Sequence, residues 1–183
     1  MRPIPMQPFH SDRLAYRPFR EPDVDAVFAF FGDPEVMRFS AFGPHPDVER
    51  TRAFLARQID HNQRRGFGLW AVVEPETDAL IGIAGLTEFN PGEADSDLEI
   101  AYRLRRDRWA RGYASEAARV WVAKGFADLG VPRIVAVVAP GHVVSKRVLA
   151  KVGLRFVEQR TKNGNRVDYL VVERSDRADA SSG

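Results

Sequence analysis

Polar and apolar positions along the chain keep two periods, and the switches between them outline eleven elements. Residues 13–18 alternate, with Leu14 and Tyr16 on one face, and predict a first strand. Asp23 is placed to cap a helix whose Val24, Val27, Phe28 and Phe31 recur at helical spacing, and Gly32-Asp33-Pro34 ends it. After a loop rich in Gly and Pro, Asp47 starts a polar helix to Arg65 with Phe54, Leu55 and Ile59 inward, stopped by Gly66. Strands follow at 67–74 and 79–88, joined by Pro75-Glu76-Thr77-Asp78, and then a polar loop over 89–96 and a strand over 97–104. Residues 105–111 form a loop, 112–129 a helix ending at Gly130, and 133–139 a short β-branched strand between Pro132 and Pro140. A helix over 143–152 ends at Gly153, and strands over 154–161 and 166–173 close a hairpin through Lys162-Asn163-Gly164-Asn165. The order β-α-α-β-β-β-α-β-α-β-β is neither a βαβ repeat nor a segregated α+β chain. A mixed sheet with helices on both faces satisfies it.

Composition narrows the chemistry. The 183 residues suit one domain, over 11–174, with 1–10 as an N-terminal extension and 175–183 as a small, polar, disordered tail. With no Cys, disulfide scaffolds, Cys-ligated metals and thiol nucleophiles are excluded. No apolar run is long enough to span a bilayer and no apolar signal core opens the chain, so a cytoplasmic protein is expected, with no membrane partner. The formal charge is only +2, from 23 Arg and 4 Lys against 25 acidic residues. That balance, with no aromatic–basic strand motif, gives little support to nucleic-acid binding.

Where the arginines sit is more telling than their number. Five of them (103, 105, 106, 108 and 111), with one Asp, fall between residues 103 and 111. The stretch Trp109-Ala110-Arg111-Gly112-Tyr113-Ala114-Ser115-Glu116-Ala117 then joins a strand to a helix. Small residues at 112 and 114 let a ligand approach the backbone, and the free N–H groups of the first helical turn, with the helix dipole, favour a bound phosphate. A solvated, Arg-rich turn before a capped helix would read the same way. Gly66-Phe67-Gly68 precedes a strand and makes no dinucleotide fingerprint.

Glu99-Ile100-Ala101-Tyr102-Arg103-Leu104, Trp109 to Ala117 and Pro140 to Gly153 resemble, in order, the GNAT superfamily of acetyl-CoA-dependent N-acetyltransferases. Ser11 to Phe19, Asp33 to Arg38 and Leu80 to Leu86 are similar to its RimJ/RimL-type branch, that of ribosomal-protein-alanine N-acetyltransferases. The resemblance implies an α/β fold with a mixed, mostly antiparallel sheet of about seven strands, splayed between strands 4 and 5. It implies acetyl-CoA as co-substrate, with pantetheine along Tyr102, Arg103 and Leu104. The pyrophosphate would lie on the loop and helix start formed by Trp109, Ala110, Arg111, Gly112, Tyr113, Ala114 and Ser115. It implies an amine acceptor, a protein N-terminus or a small molecule, with no metal, and it extends to homodimerisation.

Four positions depart from the family pattern. His142 stands where Asn is usual, next to the cofactor, and would otherwise only start a helix. Leu149 stands where many relatives carry a Tyr that protonates the thiolate, and Ser145, one turn earlier on the same side, becomes the substitute donor. Ala110 and Ala101 each replace a common Gly. Lys146, Arg147 and Lys151 could reach a 3′-phosphate or form a solvated basic face.

Acetyl transfer to an amine needs the amine neutral, against an ordinary Lys-type pKa of ~10.4, and needs donors for the developing oxyanion. Backbone N–H groups near Ile100 to Tyr102 could supply them. Glu99, in an apolar strand context, is the expected general base unless it is held in an ion pair with a nearby Arg; Glu88 is the reserve. His45 sits in the loop that often lines the acceptor site in this fold. A non-catalytic acyl-CoA-binding module is the alternative reading, which His142 and Leu149 keep open.

Overall fold

The computed structural model describes residues 7–90 and 97–176. Eight strands form one sheet in the order β1-β2-β3-β4-β5-β6-β8-β7. They are β1 (Phe9–His10), β2 (Ala15–Arg17), β3 (Leu69–Glu74), β4 (Ala79–Phe89), β5 (Asp97–Leu104), β6 (Arg133–Val138), β7 (Arg155–Lys162) and β8 (Asn165–Glu173). Every neighbouring pair is antiparallel except β5 and β6. The helices are α1 (Val24–Phe31), α2 (Pro34–Met37), α3 (Val48–Arg65), α4 (Tyr113–Ala127) and α5 (Val143–Lys151).

Alternation along the strands feeds two cores. On one face, Ile81, Leu86, Ile100 and Leu104 pack on Ala117, Trp121 and Val122 of α4 and on Leu149 of α5. On the other, Leu69, Ala71, Val73 and Ile83 pack on Val27, Phe30 and Phe31 of α1 and Leu55 of α3. Both faces are thus covered by helices, as the element order required.

Local signals set the ends. Asp47 caps α3 by accepting from the Arg50 N–H at 2.8 Å, and Gly66 ends it in the left-handed region at φ 72°. Asn163 and Gly164, at φ 51° and 75°, turn the β7–β8 hairpin.

Three expectations change. The sheet has an eighth strand, because Phe9 in the expected extension stacks on Tyr16 at 4.7 Å and meets Trp70 and Trp121 edge-on or tilted at 5.4 Å. Those partners come from three other elements, so no local pattern announces the strand. Gly32-Asp33-Pro34 ends α1 but also begins α2, where Asp33 accepts from the Glu35 N–H and Pro34 takes the first helical position. In α1, Phe30 is buried and Phe28 only partly so. Most of the expected 89–96 loop, and the tail beyond 176, lie outside the described residues.

The feature that positions the site is the β5–β6 pair. Only Leu98↔Ile134 and Glu99↔Val135 are in register, while β6 stays paired with β8 as far as Val138↔Asp168 and β5 with β4 as far as Gly82↔Leu104. From Ile100 onward the two inner edges diverge. This is the splay expected between the fourth and fifth strands, which the extra edge strand makes the fifth and sixth.

Candidate active site

The wide end of the splay faces the start of α4. Gly112, the residue before that helix, has φ 81°, and Ala110 has φ 59°. The first helical bond runs from the Glu116 N–H to the Gly112 carbonyl, so the N–H groups of Tyr113, Ala114 and Ser115 precede it, and no side chain caps the helix. Residues 109–112 are exposed, which leaves this turn open to an anionic ligand. Trp109 donates its indole N–H to the Leu104 carbonyl at 3.0 Å, tying the loop to the end of β5 while its ring stays 45 % exposed.

A buried carboxylate that the sequence did not single out anchors this turn. Glu116 is 5 % exposed. It accepts from the Ser11 hydroxyl at 2.6 Å, the Arg13 amide at 2.8 Å and the Arg13 guanidinium at 2.8 Å. Arg13 in turn donates to the Arg111 carbonyl at 2.9 Å and lies 4.7 Å from the Tyr113 ring centroid. An acidic residue in the first turn of α4, with Ser11 and Arg13 in a matching motif 100 residues away, was the available signal.

The local positive charge is less free than the sequence suggests. Arg105 pairs with Asp107, and Arg108 with Asp107 and Glu74. The Arg103 side chain leaves β5 on the face opposite Tyr102 and lies over Phe31, so its guanidinium is not part of the turn before α4. Lys146 is committed to Asp168 at 2.8 Å and to the Pro140 carbonyl at 2.7 Å, which favours a structural role over a 3′-phosphate contact.

Inside the splay, the Tyr102 and Ser145 hydroxyls lie 2.9 Å apart, bridging β5 and α5. Burial pushes the Tyr102 phenol up to about 12, with the Ser145 hydrogen bond opposing it. Leu149 is 1 % exposed and belongs to the core. His142 caps α5 through Nδ1, which accepts from the Ser145 N–H at 3.4 Å, and stacks on Phe39 at 4.2 Å. Burial, helped by Arg103, pulls its imidazole pKa below the ordinary range.

Glu99 sits at the apex of the splay. Its carboxylate takes an ion pair from Lys162 at 2.8 Å and a hydrogen bond from the Val137 N–H, a β6 group beyond the last β5–β6 pair. The partner is thus a lysine of the closing hairpin and not an arginine. Burial raises the Glu99 pKa, and Lys162 and the Val137 N–H oppose that rise.

Glu99, Tyr102 and Arg103 share a cavity of about 790 Å³ with Glu88 and His45. That volume is in the range of small-molecule sites. Glu88 is held by Arg65. His45 is fixed, its Nδ1 2.8 Å from the Thr51 hydroxyl and its ring stacked on Phe31 at 4.7 Å. Among the described residues no group of three or more His, Asp or Glu is arranged to hold a metal, and no helix is long and apolar enough to cross a membrane.

Comparison with known proteins agrees with this geometry. Residues 13–155 match the acetyltransferase (GNAT) domain family. The chain is 29 % identical over 144 residues to the uncharacterised N-acetyltransferase p20 of Bacillus licheniformis, covering 79 % of this chain and 80 % of that protein. A GNAT-family acetyltransferase structure from Bacillus anthracis superposes with a TM-score of 0.78 at 24 % identity, over 92 % of this chain and 99 % of that one. A spermidine N-acetyltransferase from Vibrio cholerae, solved with CoA and spermine, superposes with a TM-score of 0.74 at 15 % identity, over 90 % and 98 %.

Proposed function

The chain belongs to the GNAT family of acetyltransferases, and from that premise we propose that it moves an acetyl group from acetyl-CoA directly onto a primary amine. Within the family we place it in the RimJ/RimL-type branch, on the motifs at 11–19, 33–38 and 80–86. The observation that carries the reading is the opening of the β5–β6 edge from Ile100 onward, with Glu99 at its closed end and the α4 turn at its open end.

The residues present fit the co-substrate. The amides of Tyr113, Ala114 and Ser115 hold its diphosphate, helped by the left-handed turn at Ala110 and Gly112. The unpaired edge of Tyr102 to Leu104 takes the pantetheine as a further strand would be taken. Acetyl-CoA supplies an activated acyl group, so no protein nucleophile is needed once the amine is positioned beside it.

Glu99 accepts the amine proton, directly or through a water. Its burial raises proton affinity toward a useful value, and the Lys162 ion pair opposes that rise. Ser145 delivers a proton to the departing thiolate. Tyr102, 2.9 Å from it, can re-protonate Ser145, and this pair takes over the task that Leu149 cannot perform. His142 orients the start of α5 and thereby the Ser145 hydroxyl.

The test is an amine screen with acetyl-CoA, reading thiol release and the acetyl mass increment on the amine. Transfer to at least one primary amine class is expected, with loss in Glu99→Gln. Tight acetyl-CoA binding with no transfer to any amine would instead support a non-catalytic acyl-CoA-binding module.

A further inference from the structure

The charge of the acceptor cavity is not explained by acetyl transfer alone. Six Lys and Arg side chains line it against two carboxylates, Glu88 and Glu99, and both carboxylates are already engaged. Arg38, Arg50, Arg57 and Arg103 line it without any carboxylate partner among the described residues. Arg103 is the telling member. It is half-buried, and its guanidinium lies 5.1 Å from the centroid of Phe31. Burial draws its pKa down to about 10.

A partly desolvated guanidinium that faces a ring and has no carboxylate partner among the described residues gains from any oxyanion that can reach it. His45, which also lines the cavity, has its pKa drawn down by burial and by the charges of Arg50, Arg103 and Arg57, so its ring resists adding to the positive field. Along β5, alternation puts Arg103 on the same side as Glu99, about 13 Å further on. Both side chains line the same cavity, so an amine beside Glu99 and an anion toward Arg103 can belong to one molecule held there.

We propose that the acceptor is a small amine carrying its own carboxylate, with the carboxylate held by Arg103 and drawn in by Arg38, Arg50 and Arg57. This rests on the amine-acetylation reading and adds the acceptor class to it. Polycationic amines meet an uncompensated positive wall and are rejected.

The experiment compares amino acids with their matched amides, and with spermine, as acceptors at fixed acetyl-CoA. A parallel arm measures calorimetric binding of the N-acetyl amino acids and their N-acetyl amides to the CoA-loaded protein. The acid is expected to exceed its amide roughly ten-fold or more in kcat/KM and in affinity. The preference is expected to fall toward unity in Arg103→Gln. It is expected to shrink a few-fold in Arg57→Gln, whose site on the exposed side of α3 leaves folding undisturbed. Equal binding of acid and amide, binding of neither, or faster turnover of spermine would overturn the proposal while leaving amine acetylation standing. Selective binding of the acid with no turnover of any amine would support the anion site and defeat the acetylation reading.

Discussion

Glu116→Ala should destabilise the fold and loosen the turn before α4 together. The wild-type carboxylate satisfies the Ser11 hydroxyl, the Arg13 amide and the Arg13 guanidinium, all within 2.8 Å. Removing it leaves the Arg13 amide without its partner, at about 1–3 kcal/mol, and leaves the Ser11 hydroxyl to the more distant Leu14 carbonyl and Tyr16 hydroxyl, at about 1 kcal/mol. The guanidinium adds little, because the Arg13 side chain is 50 % exposed and water replaces its partner. The sum is about 2–4 kcal/mol, or roughly 4–16 °C in Tm for a chain of this size. A thermal or denaturant melt at pH 7 reads it directly.

The pH dependence gives a second readout. Burial alone would raise the Glu116 pKa, but the Ser11 and Arg13 hydrogen bonds outweigh it and hold the carboxyl below the ordinary range. Its contribution is thus complete above the unfolded value of ~4.3 and fades as pH falls through the lower folded value. The gap between wild type and variant should close in acid. Because Arg13 also holds the Arg111 carbonyl, the Kd for acetyl-CoA should rise several-fold. A melt shifted by less than about 0.5 kcal/mol, with unchanged acetyl-CoA affinity, would refute the reasoning.

Glu99→Gln should lower kcat/KM by about 10²–10⁴ and abolish the acid limb of its pH profile; retention of that limb assigns the base elsewhere. Lys162→Met removes a group that holds the Glu99 pKa down, so the acid limb should move to higher pH, and a shift to lower pH contradicts the pairing. Ser145→Ala should reduce single-turnover transfer about 10²-fold with little change in acetyl-CoA binding, and Tyr102→Phe should reduce it less. Equal rates in all three proteins would remove the hydroxyl pair from the chemistry. Ala110→Gly should stabilise the protein by up to about 1 kcal/mol in a melt, since an L-residue at φ 59° is strained there; destabilisation would show that the turn is not strained.

The sequence by itself determined most of the element plan. Capping residues, αL glycines and the Asn-Gly turn act within a few residues, so Asp47, Gly66 and Asn163-Gly164 mark their boundaries without help from the rest of the chain. The turn before α4 was legible for the same reason: a strand end, small residues and a helix start are contiguous from Leu104 to Ser115. The first strand was not, because Phe9 is held by Tyr16, Trp70 and Trp121, rings that only the folded sheet gathers. The site's electrostatics were hidden in the same way. Glu99 meets Lys162 from a hairpin 63 residues away, and Glu116 meets Arg13 across 103. The cavity arginines come from α3, β5, β8 and the segment after α2, and their common field exists only where those elements converge. Local chemistry writes itself into adjacent residues. Charge pairing, burial and therefore pKa depend on which distant segments the sheet brings face to face.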